Sequence, residues 1–468
     1  MTLMILGAWA ASFAAVAFAS QRGAAMTRAS AVLLPWATMP IVMAAPAGAT
    51  HLAWLTRSDL TLTLTLDGPG RVMALLAAFV TSLAALLTPA ETPRDAGRFL
   101  ALVLGGFAAT GTFLAGDLLT FFGFYELMLA PMFILVSGYG QGPGRGRAAA
   151  RMFVATQLGG LLFLLGAIGI AARAQAAVGA LTFDVARLAG HVQADATTTT
   201  LLALMVAGLL VKAPVVPLHG WLPDAYGASP TGAVAQFSGL LSKTALVALV
   251  RLVAPLEPST FQSLAPVVTS VAAAGGLYAG LLAFSQTQPR ALAAWVSVSH
   301  LAVVVLGIFA GSPVATTGAL LLMLAHGVSS PGLFALAEAI EARGTTGLGA
   351  SAPRLAGFGL VVLFAAAGVP GLANFAGEFA VLAGTWASFP LAVTVAQATV
   401  VVATLYATSL FALACAGPAR DGVSDLDGRE LGAFALVTVV LLTLGLAPSL
   451  ATDALTPVVA PAPTGDAP

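Results

Sequence analysis

Charge is scarce in this 468-residue sequence: 8% of its residues are charged and 59% are hydrophobic, and its mean hydropathy is +0.97. Soluble domains carry about 25% charged residues, so an ordinary water-facing surface is excluded and most of the chain must meet lipid. Cysteine is almost missing too. Cys415 stands alone, which excludes an internal disulfide and the several thiolates that an iron–sulfur cluster or a thiolate zinc site needs. No cofactor or metal is therefore expected on this chain. The 19 basic and 19 acidic residues balance to zero net charge without a tract of either sign, which removes nucleic acid as an expected partner.

What is present is a series of apolar runs. They fall at 3–20, 29–48, 70–89, 97–116, 117–137, 149–172, 199–218, 229–252, 262–283, 290–310, 315–338, 355–388, 391–415 and 430–450, between polar or Gly/Pro-rich connectors. At about 20 residues per span this reads as an all-α polytopic membrane protein of about 14 transmembrane helices, because lipid leaves other backbone without partners. The strand alternation of an outer-membrane barrel is missing. Residues 1–468 are expected to form a single transmembrane domain, with a loose Pro- and Ala-rich tail over 451–468. Met1–Ser20 lacks a basic stretch before its apolar run, so it is expected to stay as the first span rather than be removed as a leader.

Arginine orients the spans. Connectors after odd-numbered spans hold Arg22, Arg28, Arg94, Arg98, Arg145, Arg147, Arg151, Arg290, Arg343, Arg354, Arg420 and Arg429, against Arg57, Arg71, Arg173, Arg187 and Arg251 after even-numbered ones. The positive-inside rule puts the first set in the cytoplasm and both termini outside.

Two spans look broken. The seventh runs into Lys212-Ala213-Pro214-Val215-Val216-Pro217, where each proline removes a backbone donor and disturbs the preceding turn. The twelfth is too long for one straight span and carries Gly368-Val369-Pro370-Gly371 near its middle. Paired interruptions in two halves of a membrane chain point to inverted repeats around a buried ion site. The expected repeats are spans 4–8 (97–252) and spans 9–13 (262–415).

The ionisable residues sort unevenly. Seventeen of the 19 basic residues are the arginines just named, near span ends; the other two, Lys212 and Lys243, sit deep in apolar runs. Arginine cannot practically lose its proton, whereas lysine can when buried; a proton carrier needs the second property. Glu126 lies within the fifth span, Glu378 follows the break in the twelfth, and Asp117 sits at the mouth of the fifth. Leaving two lysines and two glutamates alone in lipid would cost on the order of 10 kcal/mol, so they must pair or face internal water. The plainer readings are an ion pair that only fastens helices, a half-helix cap at Glu378 and a helix-start residue at Asp117. His219, His300 and His326 lie in or beside spans and could pass protons, or be hydrogen-bonded structural side chains; His51 and His191 fall in connectors. Ser242-Lys243-Thr244 lacks the glycines and strand of a phosphate loop, and Gly140–Gly146 reads as a flexible basic connector rather than a dinucleotide loop.

Phe124–Met132, FYELMLAPM, resembles the fifth-helix motif of the antiporter-like subunits of respiratory complex I. Val211–Thr231, VKAPVVPLHGWLPDAYGASPT, is similar to the hallmark stretch of the M-type branch. Ser242-Lys243-Thr244, Ser297-Val298-Ser299-His300, Ala325-His326-Gly327 and Gly371–Phe379, GLANFAGEF, match as well. Glutamate at 378 is the M-type choice where the L and N types and the related Mrp sodium/proton antiporter subunit usually have lysine. Ala291, Ala293, Trp295 and Pro331 depart from the family pattern.

The resemblance implies a proton-translocating subunit of the membrane arm of NADH:quinone oxidoreductase in a bacterial inner membrane. Its neighbours would be L- and N-type subunits and the lipid bilayer, and NADH, FMN, iron–sulfur clusters and quinone would belong to partner subunits. Carried over by position, Glu126 pairs with Lys212 at the helix break made by Pro214 and Pro217. Lys243 continues a hydrophilic axis, Glu378 beyond Pro370 and Gly371 is its terminal group, and His219, His300 and His326 line the route. The alternatives are an Mrp-type antiporter subunit, a membrane-bound hydrogenase arm subunit, or a spacer that does not conduct.

Overall fold

The computed structural model describes residues 1–55, 60–89 and 95–455. Among them, 11 helices are long and apolar enough to cross a membrane. The remaining apolar runs fall on Ala24–Ala44, on Ala196–Lys212 and on the pair Pro353–Ala366 and Ala373–Thr385. Arg57, Arg94 and the last thirteen positions of the expected tail (456–468) lie outside the described residues. The tail's first residues are not loose: a short helix, Ser449–Leu455, occupies them.

Burial orders the helices. The most apolar stretch of Pro313–Arg343 is 100% buried, and Thr231–Val253 and Pro289–Ile308 are almost as enclosed. Thr2–Ala19, Pro390–Cys415 and Gly428–Leu446 are largely exposed, with Leu391, Val401, Val439 and Leu446 facing outward. The inner helices are the ones that carry Lys243, His300 and His326. A helix shielded from lipid by its neighbours can hold polar groups that an outer helix cannot.

The interruptions have local causes. Ala196–Lys212 ends ahead of Pro214 and Pro217, and the chain resumes as Leu222–Ala228. Pro353–Ala366 stops before Gly368 and Gly371, both at positive φ, with Pro370 between them. A third break was not expected: the fifth span divides at Met128 into Leu118–Leu127 and Leu129–Tyr139. Pro131 sits just beyond and offers no N–H to the Leu127 carbonyl four residues back. Thr231–Val253 is widened by two π-helical stretches, Phe237–Leu241 and Leu249–Val253, on either side of Ser242–Ala248. Pro331, one of the departures from the family pattern, leaves Pro313–Arg343 continuous.

The fold is not purely helical. The second span ends at Ala44 rather than 48, ahead of Pro46, and Gly48–Leu55 pairs antiparallel with Leu60–Leu66. The alternating Leu-Thr sequence of the second strand has the period of a half-buried strand, and Leu64 and Leu66 are buried. Arg251 fastens this hairpin by donating to Asp67 (2.7 Å) and to the carbonyls of Phe113 and Thr65.

Candidate functional site

Lys212 is the last residue of its helix, where the carbonyl dipoles favour a cation. Its side chain is fully buried, and Nζ lies 3.8 Å from Glu126 Oε1. Nζ donates to the Tyr125 carbonyl at 2.8 Å and stands 3.1 Å from the centroid of the Tyr125 ring. The amine is thus held by a carbonyl and an aromatic face while the carboxylate stays just beyond hydrogen-bond distance. Glu126 reaches this position across Gly160: a Cβ there would lie 2.0 Å from Oε1.

Lys243 occupies the short α-helical segment between the two π stretches. Nζ meets His326 Nδ1 at 2.6 Å and donates to the Ser238 carbonyl at 2.5 Å. The histidine was not anticipated as its partner. The signal was Gly239 and Gly327, each of which would bring a Cβ to within 3.2 Å of the other's carbonyl oxygen. Paired small residues let the two helix backbones approach, and Lys243 and His326 follow from that approach.

The polar string continues. The His326 and His300 rings lie 5.6 Å apart, and His300 Nε2 is 3.2 Å from Glu378 Oε1. All four side chains from Lys243 to Glu378 are buried. Glu378 stands five residues inside Ala373–Thr385 and does not cap it. Gly368, at φ +66°, makes room for the carboxylate, because a Cβ there would lie 2.1 Å from Oε2. Each break therefore adjoins a charged residue: Lys212 ends the helix ahead of Pro214, and Gly368 abuts Glu378.

Two further expected residues have local partners of their own. Asp117 caps the helix starting at Leu118, accepting from the N–H groups of Leu119 and Thr120, and it also holds the backbone N–H of Thr63 in the hairpin. His219 is half-buried beside Trp295 (5.3 Å) and Tyr278 (6.2 Å). Trp295, another departure from the family pattern, is thus His219's ring partner.

Buried polar residues that were overlooked accompany the string. Gln236 donates to the Leu102 carbonyl (2.7 Å) and to Thr81, and Ser297 and Ser330 share a hydrogen bond at 3.0 Å. Asn374 is fully buried. No group of three or more metal-ligating side chains occurs among the described residues.

Known proteins share both sequence and architecture with this chain. Residues 115–405 match the family described as NADH:quinone oxidoreductase/Mrp antiporter, TM. NADH-quinone oxidoreductase subunit M of Pseudomonas aeruginosa is 34% identical over 442 residues, spanning 89% of this chain and 86% of that protein. A chain of respiratory complex I from Thermus thermophilus superposes with a TM-score of 0.87 at 29% identity, covering 98% of both chains. A chain of the Mrp complex from Dietzia has a TM-score of 0.82 at 21% identity over 97% of this chain and 95% of that one; at that identity the likeness is one of fold.

Proposed function

The chain belongs to the NADH:quinone oxidoreductase/Mrp antiporter membrane family, and we propose that it is the M-type proton-translocating subunit of an NADH:quinone oxidoreductase, working beside L- and N-type subunits. The observation that carries this reading is the buried run Lys243, His326, His300, Glu378, preceded by the Glu126–Lys212 pair. Redox chemistry is assigned to partner subunits, and this chain's part is to move protons.

The physical scheme starts at Glu126. An ionised carboxylate 3.8 Å from the Lys212 amine stabilises the ammonium by about 4 kcal/mol at an effective dielectric near 20. When Glu126 is neutralised or withdrawn, that support is lost and a fully buried ammonium is favoured to release its proton. Lys243 receives it, and His326, His300 and Glu378 carry it to the far side. Broken helices supply free carbonyls and admit water to the membrane centre. Buried polar side chains such as Ser242, Asn374 and the His326 Nε2 atom, unpaired among the described residues, suit a hydrated seam.

The breaks after Lys212 and around Pro370 support two inverted repeats, 97–252 and 262–415, within a bundle of about 14 spans. The arginine distribution supports cytoplasmic placement of Arg145, Arg147 and Arg151 and outer placement of both termini, in a bacterial inner membrane. The test is Lys212→Ala in the assembled complex, read as protons moved per NADH oxidised in inverted vesicles. Assembly with loss of pumping is expected; unchanged stoichiometry overturns the scheme. Pumping that requires sodium would favour a cation/proton antiporter instead.

A further inference from the structure

The helix Arg145–Val178 begins in a cluster of guanidinium groups and runs into exposed apolar residues. A cavity of about 450 Å³ at its start is lined by Gln141, Arg145, Arg147, Arg151 and Asp224. A second, of about 540 Å³, shares Arg147 and Arg151 and continues along Val154, Leu158 and Trp221. The two form one groove, basic at one end and apolar at the other.

Helical spacing makes this a single stripe. Arg147, Arg151, Val154, Leu158, Leu161, Leu165 and Ile168 recur at steps of three and four, one face of a helix, and the five apolar members are each about half exposed or more. From Val154 to Ile168 the stripe is roughly 21 Å long at 1.5 Å per residue, about the reach of an extended fatty acyl chain. At the head, Arg151 is paired with Asp224 (2.6 Å) and Arg145 donates to the Gly140 carbonyl. Arg147 has no hydrogen-bond or ion-pair partner among the described residues. Three arginines against one aspartate leave the head with two uncompensated positive charges.

We infer that this groove binds an anionic phospholipid, its phosphate held by Arg147 and Arg151 and one acyl chain lying along Val154–Ile168. A phosphate oxygen accepts in the forked geometry that guanidinium groups offer, and the exposed apolar stripe that continues from the groove beyond Leu158 matches one acyl chain in length. The inference concerns the lipid-facing surface and stands apart from the proton scheme.

The test places a photoreactive benzoylphenylalanine at Leu158 in the full chain within its native assembly. The assembly is reconstituted in vesicles of equal phosphatidylglycerol and phosphatidylcholine, irradiated, and its adducts identified by mass spectrometry. Phosphatidylglycerol adducts should predominate, Arg147→Gln should lower their excess about fivefold, and Arg147→Lys should retain most of it. Adducts in proportion to the bulk lipids, an excess insensitive to Arg147→Gln, or a crosslink to another polypeptide would each overturn the proposal.

Discussion

His300 Nε2 lies 3.2 Å from Glu378 Oε1 while its Nδ1 is 2.9 Å from the Val296 carbonyl. A carbonyl oxygen only accepts, so Nδ1 carries a proton. The hydrogen bond at Nε2 then needs one further proton, held by the imidazole or by the carboxyl. The pair therefore shares a proton that can move between its members without rearranging the backbone. Glu378→Gln replaces the carboxyl with an amide, which keeps a hydrogen bond to Nε2 but cannot take the proton. We predict that this variant assembles, as read on native gels, and that its proton pumping falls to near background in inverted vesicles. Pumping at the native level would show the pair to be only structural.

Lys243 and His326 should behave as a unit because each supplies the other's buried partner at 2.6 Å. Lys243→Ala and His326→Ala are each expected to suppress pumping strongly. The double variant should lose little more than either alone, since groups acting together are not additive. Lys243→Arg should also fail, because a guanidinium retains its proton. Multiplying effects in the double variant, or an active arginine variant, would contradict a shared transfer step.

Much of this site was legible before any geometry. Lys212, Lys243, Glu126 and Glu378 stand out because ions in apolar runs are costly, and Pro214, Pro217 and Pro370 each fall at a break, whereas Pro331 does not. The pairings were less legible. Lys243 and His326 are 83 positions apart in sequence, and only the close approach of Gly239 and Gly327 hints at the contact. The hairpin escaped notice although Leu60–Leu66 alternates strictly, because a short alternating run between long apolar ones reads as a connector. The motif marks His219 but not its ring neighbours Trp295 and Tyr278, which arrive from other helices.

Gly160 and Gly368 give a test that leaves every ionisable group in place. Their missing Cβ atoms would lie 2.0 Å from Glu126 Oε1 and 2.1 Å from Glu378 Oε2. Gly160→Ala must displace the carboxylate from Lys212, and pumping should drop toward that of Glu126→Ala. Gly368→Ala should act likewise on the His300 pair, with added backbone strain at φ +66°. Gly357, inside Pro353–Ala366 with open space around its Cβ direction, is the control: Gly357→Ala should leave pumping unchanged. Equal activity in all three variants would mean that carboxylate placement does not matter.

The helix Pro353–Ala366 starts at Ala352, which has no side chain able to cap it. Asp425, 70 positions away from Leu355, supplies the cap by accepting from the backbone N–H groups of Arg354 (2.9 Å) and Leu355 (3.1 Å). Burial alone would raise its pKa, but these donors, the Leu426 N–H and the Arg354 charge hold the carboxyl below its ordinary range. A lowered carboxylate pKa gives a stabilisation that is complete above the unfolded value, near 4, and is lost as pH falls through the folded one. Hydrogen exchange at Arg354 and Leu355 should therefore show protection lost below about pH 4, beyond the intrinsic pH dependence of exchange. Asp425→Ala should weaken protection at neutral pH by about 1 kcal/mol, the usual worth of a helix cap, and abolish this acid transition. A variant that keeps the transition would assign it to another carboxylate.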